Sequence, residues 1–172
     1  MMTHLLITGG AASGKSLYAE NRTLAMGAAP AYIATAEARD AEMEARIARH
    51  RARRGTLWRE HHAPLDLAGA LAASDGAPAL VDCLTLWLSN LLLAGRDAEA
   101  ETAALLAALD ARAAPSVLVS NEIGLGVVPQ NALARQFRDA QGALNQAIAA
   151  QADEVVLVVS GLPLQIKPAL GA

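Results

Sequence analysis

The sequence predicts an α/β fold of three layers, with a mainly parallel central sheet between helices. Short apolar runs that end in polar residues alternate with longer helical patterns, which is typical of buried parallel strands joined by helices. Hydrophobic residues make up 53% of the chain and aromatic residues only 3%, which favours Ala/Leu-rich helices packed on a Val/Ile/Leu sheet. The 172 residues fit a single domain, 1–172.

In chain order, each predicted element is an apolar or amphipathic run bounded by glycine, proline or a polar cap. The strands are 4–8, 31–35, 79–82, 116–120 and 155–160, with a short last strand at 164–167. The helices are 15–26, 40–54, 84–94, 98–113 and 131–152, and the joins carry Gly27, Gly55, Gly76, Pro78, Pro115 and Pro129. His61 and His62 are assigned to a loop before Pro64.

Charge and cysteine content exclude several classes of function. The net charge of −3 and the pI of about 5.8 provide no overall field for nucleic acid or an anionic membrane. Cys83 is the only cysteine, which excludes an internal disulfide and a cysteine zinc cluster and fits a reducing compartment. No signal peptide is recognised, and the apolar stretch 84–94 is too short to span a bilayer. We therefore expect a cytoplasmic protein without a membrane span.

The strongest motif follows the first predicted strand. The residues Gly9-Gly10-Ala11-Ala12-Ser13-Gly14-Lys15-Ser16 match G-x-x-x-x-G-K-[ST], a loop whose backbone N–H groups surround a phosphate. Lys15 would reach the β- and γ-phosphates, and the Ser16 hydroxyl would ligate Mg²⁺. A glycine-rich turn that binds nothing is the alternative. Two observations favour a nucleotide site. A strand and a helix flank the motif, and Lys15 is one of only two lysines in the chain.

A carboxylate at the end of a neighbouring strand would complete this site. Asp82 ends the predicted strand 79–82, where P-loop enzymes place an acid that holds Mg²⁺ directly or through water. Asp82 could instead cap the helix that begins near Leu84. The two roles are compatible, and we favour the metal role.

The predicted helix 40–54 is rich in arginine, with acids early and bases late as the helix dipole favours. His50 shares one side of the helical wheel with Met43 and Ile47. Two interpretations stay open. His50 is either a structural residue beside a solvated basic face, or a nucleophile at a phosphorus centre with arginines that bind the triphosphate.

With these residues the chain resembles, from end to end, the bifunctional adenosylcobinamide kinase / adenosylcobinamide-phosphate guanylyltransferase of cobalamin biosynthesis. The matching positions are 9–16, 32–36, 43, 46–47, 50–51, 58, 82–85, 90–91, 120–129, 137–139, 142, 145–146, 152–155 and 158–161. The resemblance implies a RecA-like P-loop fold and a homo-oligomer such as a trimer. It further implies that a nucleoside triphosphate, ATP or GTP, phosphorylates adenosylcobinamide, and that GMP from GTP then passes to adenosylcobinamide phosphate through a guanylylated histidine.

By motif position His50 is that histidine, and Lys15 acts with it in catalysis. Besides the phosphate loop, the resemblance implies nucleotide contacts from Ala34, Thr35, Ala36, Arg51, Ala52, Arg53, Arg54, His62 and Asp82, and Mg²⁺ held by Ser16 and Asp82. Two positions depart from the family pattern. Ala12 stands where the family has arginine, and His62 stands where a glutamate is usual, with Glu60 as a candidate substitute.

The sequence leaves open two alternative functions and the role of Glu122. A plain small-molecule kinase with a structural His50, or a nucleotide-dependent switch or assembly module, would carry the same phosphate loop. Glu122, after the strand 116–120, would either orient a nucleophile or brace the following turn.

Overall fold

The computed structural model describes residues 4–168, apart from the side chain of Arg46. The strands are β1 (His4–Gly9), β2 (Ala31–Ala34), β3 (Arg59–His62), β4 (Ala79–Asp82), β5 (Ser116–Asn121), β6 (Glu154–Val159) and β7 (Leu162–Lys167). The helices are α1 (Lys15–Leu24), α2 (Ala41–Arg54), α3 (Leu67–Ala73), α4 (Leu84–Leu93), α5 (Ala98–Ala111) and α6 (Ala132–Gln151).

All seven strands form one sheet in the order β3-β2-β4-β5-β1-β6-β7. The pairs among β1 to β6 are parallel, and β7 runs antiparallel to β6 at one edge. Because the carboxyl ends of parallel strands meet at one edge of the sheet, the residues that follow β1, β2 and β4 lie on the same side. The predicted α/β fold with a mainly parallel sheet is confirmed.

Side chains that alternate along the strands form a core on each face of the sheet. One face buries Leu6, Ile33, Val81 and Leu118 against α3, α4, α5 and α6. The other buries Leu5, Ile7, Leu80 and Val119 with Ala19 of α1 and Trp58. The phosphate-loop helix therefore packs on one face, and most of the other helices pack on the opposite face.

The predicted elements are all present, with ends shifted by at most two residues. The loop assigned to His61 and His62 is wrong, because both residues belong to β3, which pairs with β2 at the sheet edge. The helix α3 was also missed, although Leu67 and Leu71 are fully buried and Asp66 caps it by accepting from the Gly69 amide. None of the helices within 4–168 is long and apolar enough to cross a membrane. A single domain over 1–172 stays a prediction, since 1–3 and 169–172 lie outside the described residues.

Candidate active site

The phosphate loop joins β1 to α1 and depends on two of its glycines. Gly14 adopts a φ of 92°, and a Cβ there would lie 3.2 Å from the Cα of Gly161. A Cβ on Gly9 would lie 2.6 Å from the carbonyl oxygen of Val158. A hydrogen bond also joins the loop to Gly161, whose amide donates to the Ser13 carbonyl at 2.8 Å. Larger side chains at these positions would displace the loop.

Lys15 and Ser16 open α1, as the motif predicts. Lys15 is only 7% exposed, and its Nζ donates to the Gly10 carbonyl at 2.8 Å, which folds the side chain back over the loop. Gly14 is the N-cap and contributes no side-chain cap. No cap side chain therefore competes with an anion at this end of α1, and the helix dipole adds positive charge there.

A cleft of about 600 Å³ opens beside α2, at the carboxyl ends of β2, β3 and β4. Seven of the predicted site residues line it, namely Ala34, Ala36, His50, Arg51, Arg54, His62 and Asp82. Tyr32, Glu60 and Cys83 line it as well. The fold thus brings together residues that are spread over three strands and one helix.

His50 lies on the side of α2 that faces this cleft. Asp40 caps the helix by accepting from the Met43 amide at 2.7 Å, and the helix ends before Gly55, which has a φ of 66°. Met43, Ile47 and His50 are all half-buried and all line the cleft. The apolar stripe that the helical wheel predicts therefore forms a wall of the cleft, with His50 in it.

Glu60 pairs with two of the predicted phosphate-binding arginines. Its carboxylate lies 2.6 Å from Arg51 and 2.9 Å from Arg54, and the Arg54 guanidinium stacks 3.5 Å from the centre of the Tyr32 ring. Burial alone would raise the pKa of Glu60, but the Arg54 hydrogen bond and the two positive charges outweigh it and lower the pKa. Both oxygens of this candidate substitute for the family's glutamate are thus engaged by arginines.

Three residues predicted with this group do not line the cleft. Thr35 is fully buried, and its hydroxyl donates to the Cys83 carbonyl at 2.7 Å and accepts from the Cys83 amide at 2.8 Å. Arg53 instead pairs with Glu20 of α1 at 2.6 Å, and Ala52 is exposed. Thr35 therefore holds the end of β4 in place next to β2.

Asp82 is oriented by Tyr32, whose hydroxyl donates to Asp82 Oδ2 at 2.8 Å. Burial, followed by the charge of Asp82, raises the pKa of Tyr32, so the phenol stays protonated and remains a donor. The capping alternative for Asp82 is wrong, because Cys83 occupies the N-cap of α4. β5 separates β4 from β1, so Asp82 lies two strands from the phosphate loop instead of on the adjacent strand.

A family model described as cobinamide kinase / cobinamide phosphate guanyltransferase matches residues 5–166. The chain belongs to this family. The bifunctional adenosylcobalamin biosynthesis protein CobP of Pseudomonas aeruginosa is 50% identical over 166 residues, which cover 94% of this chain and 96% of the relative. CobU of Salmonella typhimurium is 42% identical over 184 residues, which cover 95% and 99%.

Solved structures of more distant proteins share the fold of this cobinamide kinase / guanyltransferase. A KaiC-like protein of Pyrococcus horikoshii matches with a TM-score of 0.50 at 11% identity, over 90% of this chain and 70% of that one. An ATPase of the type III secretion system of pathogenic bacteria matches with a TM-score of 0.55 at 10% identity, over 95% of this chain and 56% of that one. At these identities the likeness concerns the fold, which is that of P-loop NTPases.

In this family member the phosphate loop and the cleft are electrostatically connected. Cys83 lines the cleft, and burial followed by the Asp82 charge raises the pKa of its thiol to about 11. Hydrogen bonds from the backbone of Leu86 and Thr85, followed by the Lys15 charge, oppose that rise. The Lys15 charge thus acts on the thiol of a residue that lines the cleft.

Glu122 braces the turn that follows β5, one of the two roles that the sequence leaves open. Its Oε1 accepts from the Gly124 amide at 2.7 Å, and its own amide donates to the Gly9 carbonyl at 3.0 Å. Tyr32 and Glu20 are the residues near the site that the sequence motifs do not predict. Neither residue carries a local sequence signal, because Tyr32 and Asp82 are 50 residues apart in the chain, and Glu20 and Arg53 are 33 residues apart.

Proposed function

We propose that this enzyme performs both reactions of its family at one nucleotide site, and that His50 is the nucleophile of the second. The observation that supports this most directly is the position of His50 in the cleft that Asp82 and Arg51 also line, at the sheet edge where Lys15 opens α1. The substrates are ATP or GTP and adenosylcobinamide or its phosphate.

In the first reaction the γ-phosphoryl group passes from the nucleotide to the aminopropanol hydroxyl of adenosylcobinamide. The amides of residues 10–16 and the Lys15 ammonium hold the β- and γ-phosphates and stabilise the charge that develops on them. The hydroxyl oxygen forms the new P–O bond as the bond to the β-phosphate oxygen breaks. The nucleoside diphosphate leaves, and the hydroxyl proton goes to solvent.

In the second reaction a ring nitrogen of His50 attacks the α-phosphorus of GTP. The bond to the β-phosphate oxygen breaks, and pyrophosphate leaves while the phosphate loop binds its charge. A phosphate oxygen of adenosylcobinamide phosphate then attacks the same phosphorus and breaks the P–N bond. Adenosylcobinamide-GDP is released, and His50 is restored.

The oxygen donors at this edge fit Mg²⁺. Ser16 offers a hydroxyl and Asp82 a carboxylate, and Mg²⁺ in nucleotide enzymes binds one or two protein oxygens together with substrate phosphates and water. Among residues 4–168 no group of three or more His, Cys, Asp or Glu could hold a metal without such help. A bound Mg²⁺ would neutralise phosphate charge, and Tyr32 would keep the Asp82 carboxylate oriented toward it.

We also propose that copies of the chain associate. Leu125, Val127 and Leu133 are 86%, 95% and 67% exposed, and all three lie on or just beyond the turn that Glu122 braces beside the phosphate loop. Exposed apolar side chains in one region favour an interface between subunits.

Labelled GTP tests the assignment of His50. Incubation with α-labelled GTP and Mg²⁺ should place an acid-labile, base-stable label on the wild-type protein, as expected for a phosphoramidate, and none on His50→Ala. Lys15→Ala should lose both the label and the transfer of γ-labelled phosphate to adenosylcobinamide. His50→Ala should keep that γ-phosphate transfer, which serves as its control. Equal labelling of His50→Ala and the wild type would disprove the role of His50.

A further inference from the structure

The two helices that carry the proposed chemistry are joined by an ion pair. Arg53 on α2 donates through Nε and Nη2 to the two carboxylate oxygens of Glu20 on α1, at 3.2 and 2.6 Å. Glu20 is only 4% exposed. We propose that the Glu20–Arg53 pair is a positioning tie, which sets the spacing between the phosphate loop and His50 that guanylyl transfer requires. The inference rests on the proposed role of His50.

The pair lies one helical turn from Ser16 of the phosphate loop and one turn from His50. Glu20 follows Ser16 by four residues in α1, which places both on the same face of that helix. Arg53 follows His50 by three residues in α2. Because each helix is rigid over a single turn, the distance between Glu20 and Arg53 sets the distance between the phosphate loop and His50.

The other arginines of this turn fix α2 to a different part of the molecule. Arg51 and Arg54 pair with Glu60 on β3, at the edge of the sheet that lies farthest from β7. Those pairs hold the helix over the cleft, whereas Arg53 sets its distance from α1. Burying a carboxylate is costly unless it is paired, and an apolar side chain would pack at position 20 without that cost. The charge of Glu20 is therefore better explained by its partner than by packing.

The two reactions depend differently on this spacing. Phosphoryl transfer to adenosylcobinamide uses the phosphate loop and does not involve His50. Guanylyl transfer needs the triphosphate in the loop and His50 at the α-phosphorus at the same time. A displacement of about 1 Å between reacting groups can cost about 100-fold in rate. Loss of the tie should therefore slow the second reaction selectively, and the kinase reaction is an internal control.

A direct contact between Arg53 and GTP, which the family resemblance implies, gives the opposite expectation for one variant. Glu20→Gln would release Arg53, so GTP affinity and the labelling of His50 would rise or stay unchanged. If the pair is a tie, the same substitution lowers labelling. The two roles are thus separated by the sign of a single measurement.

The experiment compares Glu20→Gln with Glu154→Gln by single-turnover labelling from α-labelled GTP and by kinase turnover. Glu154→Gln is the matched control, because it breaks a bidentate pair with Arg22, at 2.9 and 2.7 Å. Arg22 lies on α1, the helix that also carries Glu20, and this pair does not involve α2. We expect Glu20→Gln to lower the labelling rate about 10- to 100-fold with kinase kcat and KM within about twofold. Glu154→Gln should leave both rates near wild type. Arg53→Gln should slow labelling as much, and the double variant with Glu20→Gln should be no slower than either single one.

Other outcomes overturn the proposal. Wild-type labelling rates in Glu20→Gln, or an equal fall of labelling and kinase activity, would show that the pair does not position His50. Faster labelling in Glu20→Gln with slower labelling in Arg53→Gln would identify Arg53 as a nucleotide ligand. Should Glu20→Gln not fold, Arg53→Gln decides, because its side chain is 40% exposed and its loss leaves the core intact. Slower labelling at saturating GTP supports the tie, whereas a higher GTP concentration for half-maximal labelling with an unchanged maximal rate identifies Arg53 as a nucleotide ligand and overturns it. Failure of the wild type to take up label would instead disprove the role of His50, and the tie with it.

Discussion

Glu60→Gln would remove the negative charge that holds Arg51 and Arg54 at the cleft. A glutamine has one acceptor oxygen instead of two and carries no charge, and the Arg54 side chain, which is 5% exposed, would stay buried against Tyr32 without its counter-charge. Hydrogen bonds to charged groups contribute about 1.5–3 kcal/mol, and because the Glu60 side chain is 33% exposed we take the lower end, about 1.5–2 kcal/mol. For a chain of this size that corresponds to a fall in Tm of about 3–8 °C.

The pH dependence of this loss follows from the lowered pKa of Glu60. A carboxylate whose folded pKa is depressed stabilises the protein above its ordinary pKa of 4.5, and this stabilisation is lost as the pH falls through the folded value. The Tm difference between wild type and Glu60→Gln should therefore be constant between roughly pH 8 and pH 5.5, and it should shrink below pH 4.5.

Differential scanning calorimetry across this pH range measures both effects. Glu37→Gln is the control, because its pair with Arg39 is exposed at both side chains and should change stability by less than about 0.5 kcal/mol. A Tm for Glu60→Gln within about 1 °C of wild type, or a difference that grows toward acid pH, would refute the reasoning.

Two further predictions concern the metal and the assembly. Tyr32→Phe removes the hydroxyl that orients Asp82, so the Mg²⁺ concentration for half-maximal kinase activity should rise about 10-fold, and an unchanged Mg²⁺ titration would contradict this role. Val127→Asp places a charge on the exposed apolar patch, so sedimentation should show a multimer for wild type and a smaller species for the variant; a wild-type mass of one chain would disprove the interface.

The sequence predicts the fold well where apolar pattern and capping agree within a short segment. The phosphate loop is such a case, because its glycines, lysine and flanking elements are contiguous. β3 is the opposite case, since Arg59, Glu60, His61 and His62 offer no apolar face. Its extended conformation depends on hydrogen bonds with β2, a partner that only the folded sheet supplies.

Site residues were predictable only as far as motif and resemblance reach. His50, Arg51, Arg54 and Asp82 line one cleft, and their roles there stay predictions. The contacts that orient them join residues far apart in the chain, such as Tyr32 with Asp82 and Arg53 with Glu20, at separations of 50 and 33 residues. Such pairs follow from the way helices pack on the sheet, and no local pattern encodes them.

The contact between Gly14 and Gly161 joins the phosphate loop to the turn between β6 and β7. Selection for phosphate binding therefore extends to a residue near the other end of the chain that takes part in no chemical step. In the evolution of this enzyme both positions should be constrained, but for different reasons: a Cβ at position 14 would meet Gly161, whereas Gly161 has a φ of 80° and open space where its Cβ would lie. A change at position 161 would resemble a loop mutation in its effect, although it lies in a terminal hairpin.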